Sequence, residues 1–365
     1  MDKAQIKMHD MERLAAYRDY LRLEPRLVYL FLELTDCCNL ACRHCGSSCD
    51  ARRGTFLDAD LAIETLRTVA EDFGASTVMV CLTGGEPLVH PRFFDIVKAA
   101  ADLGFPWGMT TNGTLIDERM AVRLAAAHMG TVTVSIDGTE SSHDWLRESH
   151  GSYRRAVGGV RNLIARGFEV QVTTVVHKGN MAELEQIYAN MGGLGVASWR
   201  LVNIEPIGRA HAMRDLWLSG EEFERLLSYV REKRFDPGVS MDVRFGCSHY
   251  LGPEFEREVR DNYFLCGSGI YVGSVLCNGD IYSCLDIERR PELVQGNVAV
   301  DRFSDVWTNR FREFREDRTA RCGMCTECPD RRYCAGDSAH TWDYDRNEPT
   351  LCRRKGLGYE SVRQA

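Results

Sequence analysis

The sequence predicts an α/β protein, an open (β/α)6 barrel followed by a smaller cysteine-rich module. Between residues 29 and about 210, six β-branched runs alternate with helix-length amphipathic runs, the pattern of βα units around a parallel sheet. After about residue 234 the alternation stops. Cysteines crowd one early loop and the end of the chain. Together these observations predict a barrel that is followed along the chain by a second module.

Each element follows from local patterning. Residues 8–23 form an amphipathic helix, expected to pack against the barrel. The predicted strands are 29–34, 77–82, 107–111, 131–136, 169–176 and 198–204, and helices follow them, for example 58–72, 93–103 and 153–166. Six units are too few to close an eight-stranded TIM barrel, so the barrel is TIM-like but partial. Gly279-Asp280 predicts a hairpin turn between 271–276 and 281–283.

These elements divide the chain into three predicted domains. Residues 1–28 form the N-terminal helix, residues 29–235 the partial barrel and residues 236–365 the cysteine-rich module.

The amino-acid composition limits the classes of function that this protein can have. The 365 residues are 44% apolar, enough for a large core, and 45 Lys and Arg stand against 53 Asp and Glu, a formal net charge of -8 without long blocks of either sign. This balance predicts neither a nucleic-acid partner nor a membrane partner. The polar first 30 residues do not match a signal peptide, and no run approaches the roughly 18 apolar residues of a membrane span. We therefore expect a cytoplasmic protein.

That location bears on the 15 cysteines, because a reducing cytosol favours metal-ligating or catalytic thiols over disulfides. Cys38, Cys42 and Cys45 follow the first predicted strand, where a barrel carries its active-site loops. Three thiolates can hold three irons of a cubane and leave the fourth iron open. A zinc site closed by His44 or Cys37 is the alternative.

Further motifs follow the next three strands in order. Thr83-Gly84-Gly85-Glu86-Pro87 ends the second, Thr111-Asn112-Gly113 the third and Ser135-Ile136-Asp137-Gly138 the fourth. With the Cys-x3-Cys-x2-Cys loop, this series resembles the radical S-adenosylmethionine (SAM) superfamily over residues 29 to about 210.

The resemblance implies a [4Fe-4S] cluster on Cys38, Cys42 and Cys45 and reductive cleavage of SAM to a 5′-deoxyadenosyl radical that removes a hydrogen atom from substrate. It also implies the cofactor-binding residues, which are Gly84, Gly85, Glu86, Pro87, Asn112, Ser135, Asp137 and Arg147. A flavodoxin or ferredoxin would supply the electron.

The C-terminal region resembles the SPASM extension of this superfamily, which holds auxiliary iron-sulfur clusters. By that pattern Cys325, Cys328, Cys334 and Cys352 hold an outer cluster, and Cys266 and Cys284 begin an inner one. Ser338 stands where the pattern has another cysteine. The candidates for the missing inner ligands are Cys322, Cys277, Cys247, Ser338 and Asp337, so the resemblance implies one or two auxiliary clusters. A zinc ribbon is the alternative for this region.

SPASM enzymes mostly modify peptides, so the resemblance favours a cross-link, thioether or C–C bond made in a ribosomal peptide. Tetrapyrrole side-chain tailoring and sulfatase maturation are alternatives within the superfamily, and a non-enzymatic iron-sulfur electron carrier is an alternative outside it. Sulfatase maturases place a catalytic Asp directly after the equivalent of Cys284, whereas Asp286 comes one residue later here. Asp286, Glu205 and His340 are candidate bases. The stretch before residue 29 is too short for a peptide-recognition domain. We therefore expect that a separate peptide-recognition protein, or the barrel itself, binds the leader segment of a peptide substrate.

Overall fold

The structure is a computed structural model, and it describes residues 2–238, 241–246 and 249–356. Seven parallel strands in chain order form the barrel wall. They are β1 (Tyr29–Glu33), β2 (Met79–Thr83), β3 (Trp107–Thr111), β4 (Thr131–Ser135), β5 (Val170–Val176), β6 (Ser198–Asn203) and β7 (Asp242–Phe245). Because parallel neighbours run in the same direction, all the loops that follow these strands lie at one end of the barrel.

Helices cover the outer face of this wall, and one precedes it. They are α1 (Lys3–Leu23), α2 (Ala59–Phe73), α3 (Phe93–Asp102), α4 (Glu118–Ala126), α5 (Glu140–Arg147), α6 (Ser152–Ala165), α7 (Leu184–Leu194) and α8 (Gly220–Arg234). Helix α2 shows why such segments begin and end where they do. The Asp58 side chain accepts a bond from the Leu61 amide (2.9 Å), and Gly74 ends the helix at φ +82°.

Alternate residues of the strands face the helices and form the main core. Leu30 and Leu32 of β1 and Trp199 and Leu201 of β6 are fully buried there. The intervening residues therefore face the inside of the barrel, and Arg200 is one of them. The interior is thus available for polar chemistry, while the outer face supplies the apolar burial that holds the fold.

The C-terminal module continues the same sheet. Its strands are β8 (Val272–Val275), β9 (Asp280–Tyr282), β10 (Gly296–Asn297), β11 (Trp342–Asp343) and β12 (Glu348–Pro349), and its short helices are α9 (Phe303–Asn309), α10 (Arg312–Arg315), α11 (Gly323–Thr326) and α12 (Arg331–Cys334). Strand β8 pairs in parallel with β1 and antiparallel with β9, so the predicted hairpin extends the barrel sheet. The fold class predicted from the sequence is confirmed.

Two features differ from the sequence prediction. Strand β7 lies beyond the six predicted units, because its four residues, two of them charged, lack a β-branched run. Helix α1 packs against the C-terminal module rather than the barrel. Its Met11 contacts Tyr250 and Phe264, and its Arg18 donates to the Arg332 carbonyl oxygen (3.0 Å). Among the described residues, none of the helices is both long and apolar enough to cross a bilayer.

Candidate active site and C-terminal thiol groups

The cysteine loop after β1 is the centre of the site. Cys38 and Cys42 are each 7% exposed and pack with Leu40 and Cys49, and Cys45 is half-buried beside them. Cys45 Sγ accepts a bond from the Cys49 amide (3.4 Å). The three predicted cluster ligands therefore lie together in one dry loop, as the sequence predicts.

The Gly-Gly-Glu-Pro turn after β2 lies directly against this loop. The Gly85 amide donates to the Thr35 carbonyl oxygen (2.6 Å), and the Glu86 amide donates to that of Cys37 (3.0 Å). A Cβ on Gly85 would lie 2.1 Å from the Cys37 oxygen, and Gly84 has φ +146°. Glycine is required at both positions because two backbones meet here.

The Glu86 side chain ties the second strand to the third. It is fully buried and accepts bonds from the Thr111 hydroxyl and the Asn112 amide, both at 2.8 Å. Burial raises its pKa to about 7, against the opposing effect of these bonds. Since the carboxylate is used inside the protein, we expect the turn to present its backbone to a ligand. Pro87, also buried, begins the single 3-10 turn that follows.

Asn112 brings the end of β3 to the cysteine loop. Its side-chain amide donates to Asn39 Oδ1 (2.8 Å) and lies 3.9 Å from Cys38 Sγ. Asn112 is thus a neighbour of one cluster ligand, and its role toward SAM stays a prediction.

The fourth-strand motif divides into two environments. Ser135 is half-buried at the end of β4, whereas Asp137 is 1% exposed. The Asp137 carboxylate accepts bonds from Arg147 Nε (2.6 Å) and the Val175 amide (2.9 Å). Burial opposes ionisation of Asp137, but Arg147 lowers its pKa to about 2. These bonds hold Asp137 against Arg147, and a direct contact of Asp137 with SAM stays a prediction.

Arg147 connects this ion pair to the cysteine loop. Its Nη1 lies 3.6 Å from Cys42 Sγ, and its side chain is 10% exposed. A buried guanidinium beside a ligand thiolate stabilises negative charge on sulfur. The superfamily resemblance implies a cofactor contact for Arg147, and the fold adds its contact with Cys42.

His44 directs one ring nitrogen at the buried Asp137 carboxylate. Its Nε2 lies 3.8 Å from Asp137 Oδ2, and burial lowers its pKa to about 3, so the imidazole is neutral. The three thiols of Cys38, Cys42 and Cys45 fit an iron-sulfur cubane whose fourth iron has no protein ligand.

Arg209 is a residue that the sequence prediction missed. It follows β6, and its guanidinium donates to the carbonyl oxygens of Cys42 (2.7 Å) and Cys49 (2.8 Å). Arg209 therefore fixes the backbone of the cysteine loop from the segment that follows β6. No local motif marks it, because its partners are main-chain atoms 160 and more residues away.

The outer thiol group of the C-terminal module contains the predicted ligands Cys325, Cys328, Cys334 and Cys352, and Cys322 joins them. Burial and then the neighbouring thiols of Cys322, Cys352 and Cys328 raise the pKa of Cys325. The Cys325 amide donates to the Cys322 carbonyl oxygen (3.0 Å) in one tight turn. Cys322, considered above for the inner site, therefore belongs to the outer group.

The inner thiol pair consists of Cys266 and Cys284. Cys266 Sγ accepts a bond from the Ala339 amide (3.4 Å), next to the fully buried Ser338. Burial raises the pKa of the Cys284 thiol, and the Asp286 carboxylate and Cys266 add to this effect. Cys284 Sγ lies 3.9 Å from Asp286 Oδ2, which places Asp286 beside the pair.

Two further candidates for the inner site are directed elsewhere. The Cys277 amide donates to Glu33 Oε2 (3.1 Å), on the side of the cysteine loop. Asp337 accepts bonds from the Tyr250 amide (2.7 Å) and the Thr341 hydroxyl (2.8 Å). Cys247 lies outside the described residues. Of the residues predicted for the inner cluster, Cys266, Cys284 and Ser338 therefore remain as candidates.

The candidate bases Glu205 and His340 form an ion pair. His340 Nε2 lies 3.1 Å from Glu205 Oε2. Burial alone would lower the pKa of His340, but Glu205 raises it to about 9. Burial also opposes ionisation of Glu205, yet His340 and His249 hold its pKa well below the usual range. Near neutral pH this pair therefore has no free base.

Comparison with known proteins agrees with this geometry. The family profile described as "Radical SAM superfamily" matches residues 32–190, and SPASM, described as "Iron-sulfur cluster-binding domain", matches residues 266–329.

Two curated relatives match along most of their length. The chain is 31% identical over 316 residues to mycofactocin maturase MftC of Mycobacterium tuberculosis, covering 85% of this chain and 77% of that protein. It is 28% identical over 358 residues to the AdoMet-dependent heme synthase of Nitratidesulfovibrio vulgaris, covering 91% and 93%.

The fold has a solved counterpart. The structure of Streptococcus suis SuiB bound to precursor peptide SuiA superposes with a TM-score of 0.66 at 18% identity and covers 86% of this chain and 72% of that one.

Proposed function

Because the chain belongs to the radical SAM superfamily and carries its SPASM iron-sulfur domain, we propose that it modifies a ribosomally made peptide. The enzyme class and its cofactors, SAM and iron-sulfur clusters, come with this membership. The substrate class and the roles of individual residues are the proposal.

The chain's own residues hold and orient the cofactors. Cys38, Cys42 and Cys45 hold the cluster, and Gly84 and Gly85 let the turn after β2 pack closely against the backbone of the cysteine loop. When bound, the cluster and SAM supply the radical that removes a hydrogen atom from substrate. The protein excludes water from this loop and keeps Cys42 beside the Arg147 guanidinium.

The barrel interior supplies a substrate chamber with positive charge. A cavity of about 220 Å³ is lined by Gln171 of β5, Arg200 of β6, Arg244 of β7 and, beyond β7, Arg260 and Asn262. Arg200 and Arg244 are register partners on adjacent strands. Guanidinium groups bind carboxylates bidentately. Arg244 contacts Asp242 and Arg260 contacts Glu256 within the protein, and the three guanidinium groups of the lining together favour a substrate with a carboxylate, such as an acidic side chain or a peptide C-terminus.

The observation that carries the peptide proposal is the 31% identity to a mycofactocin maturase over 85% of this chain. The fold likeness to SuiB, solved with a precursor peptide, is compatible with it. A propionate-bearing tetrapyrrole is the second candidate, because the heme synthase match covers 93% of that protein and a tetrapyrrole carboxylate also suits the arginine chamber.

Transfer of deuterium tests the proposal. Anaerobically reconstituted enzyme is reduced with dithionite in the presence of SAM and, in separate reactions, a deuterated peptide fraction or a side-chain-deuterated iron tetrapyrrole. The 5′-deoxyadenosine formed keeps the atom taken from the substrate. Deuterium gained only from the peptide fraction supports the proposal. Deuterium gained only from the tetrapyrrole would replace it with the second candidate.

The same experiment separates enzyme from electron carrier. Reduced enzyme that cleaves SAM without any substrate still has the superfamily chemistry, and a flavodoxin or ferredoxin in place of dithionite then identifies the electron donor. A reduced protein that leaves SAM intact would be an electron carrier.

A further inference from the structure

Three side chains from separate segments meet where the barrel joins the C-terminal module. Glu205 follows β6, His249 follows β7 and His340 lies in the C-terminal module. His249 Nε2 is 2.9 Å from Glu205 Oε1, and His340 Nε2 is 3.1 Å from Glu205 Oε2. One donor atom from each of the three lies within 4.8 Å of the other two.

A contact with Asp337 fixes the orientation of the His249 ring. Its Nδ1 lies 3.2 Å from Asp337 Oδ2, while Nε2 faces Glu205. Asp337 is held in turn by the Tyr250 amide and the Thr341 hydroxyl. A carboxylate on one imidazole nitrogen that directs the other nitrogen toward a ligand is the arrangement that supports histidine in metal sites.

We infer that Glu205, His249 and His340 together bind one divalent first-row transition-metal ion. Two imidazoles and a carboxylate are donors that suit zinc and its neighbours, and three protein ligands leave one position open. The carboxylates of Glu205 and Asp337 balance the two positive charges of the ion.

The site is buried yet reachable. The His249 side chain is fully buried, whereas those of Glu205 and His340 are 14% and 10% exposed, so an ion enters from their side. Binding displaces the proton that His340 shares with Glu205, as metal binding to histidine does in general. The inference does not depend on the substrate proposed above. Glu205, His249 and His340 are not cluster ligands, so metal binding to them can be tested without a substrate.

Zinc is the probe for the experiment, because it is redox-inactive and its X-ray absorption edge is separate from that of iron. Cluster-reconstituted full-length protein is incubated anaerobically with zinc and passed over a desalting column. Zinc per chain and the zinc-edge scattering shell are then measured. We expect one zinc per chain with nitrogen and oxygen scatterers at about 2.0–2.1 Å and histidine ring scattering.

The variants Glu205→Gln and His340→Gln are expected to lower zinc affinity at least 100-fold, and Asp337→Asn about 10- to 100-fold. The control is His150→Gln, since His150 is fully exposed beside Asp144 and should not change zinc binding. Iron content equal to wild type shows that each variant folds.

Two outcomes would overturn the inference. Sulfur scatterers at about 2.3 Å would assign the zinc to cysteines. Wild type that retains no zinc while its clusters stay intact would make the three residues a hydrogen-bonded contact between the two modules. The scattering shell of the wild type decides between these outcomes even if a variant does not fold.

Discussion

The cysteine loop after β1 and the C-terminal thiols hold the same kind of ligand in different ways. In the loop, Cys38, Cys42 and Cys45 lie within eight residues, and the neighbouring strand ends contact their backbone. In the C-terminal module, the inner thiol of Cys266 contacts a residue far along the chain, Ala339, and lies beside Cys284. A local motif is therefore sufficient to identify the first site, while the ligation of the second depends on tertiary packing.

The largest expected effect comes from removing the loop thiols. A Cys38/Cys42/Cys45→Ala triple variant should lose SAM cleavage entirely, because these thiols have no replacement. It should retain the auxiliary iron, and about four irons per chain would correspond to a single outer cluster. Iron and sulfide analysis with electron paramagnetic resonance measures this.

About eight remaining irons would show that Cys266 and Cys284 also hold a complete cluster with a ligand outside the set found here. A variant that kept all its iron would contradict the assignment of the loop.

The next effect tests the close contact between the loop and the glycine turn. In Gly85→Ala the new Cβ would meet the Cys37 carbonyl oxygen at 2.1 Å, so the loop must shift. Since a displacement of about 1 Å at a reacting centre can cost 100-fold, we expect SAM cleavage to fall about 100-fold or more.

The matched control is Gly54→Ala, where a Cβ has no neighbour within 4 Å, and its SAM cleavage rate should equal that of wild type. Equal rates for the two variants would show that the turn does not restrain the loop.

A smaller effect, on stability, is expected at the Arg147–Asp137 pair. Arg147→Met leaves the Asp137 carboxylate buried without its cation, which should reduce the free energy of unfolding by about 3–5 kcal/mol. Denaturant unfolding followed by circular dichroism measures this.

The control Arg154→Met removes an exposed pair with Glu140 and should change stability by about 1 kcal/mol or less. If both variants lost the same small amount, the Asp137 carboxylate would have another partner for its charge.

The smallest expected effect on iron content is that of Cys277→Ser, which is compared with a second thiol variant of the C-terminal module. Cys277→Ser should leave the iron content unchanged, because Cys277 lies against Glu33 and away from Cys266 and Cys284. Cys325→Ser should lower it by about four irons, the content of one cubane. Iron analysis of the two purified variants side by side measures the difference, and iron lost from Cys277→Ser would assign this thiol to a cluster.

Much of the fold was predictable because barrel strands and helices carry local signals. The strand predicted at 107–111 has those bounds in the structure, and the predicted turn joins β8 to β9 with Gly279 at φ +87°, although Asp280 is already the first residue of β9. Strand β7 and the docking surface of α1 were not predictable, because a short charged strand has no periodicity and a helix face does not name its partner.

The sequence alone determined the barrel and the cysteine loop with its series of strand-end motifs. Their residues are close in sequence or follow consecutive parallel strands, so strand order brings them together. Only the tertiary structure decided that Cys322 joins Cys325, that Arg209 anchors the loop and that Glu205, His249 and His340 meet. Apart from Cys322 and Cys325, which share one turn, these contacts join segments far apart in the chain, so side-chain packing in the folded protein sets their distances.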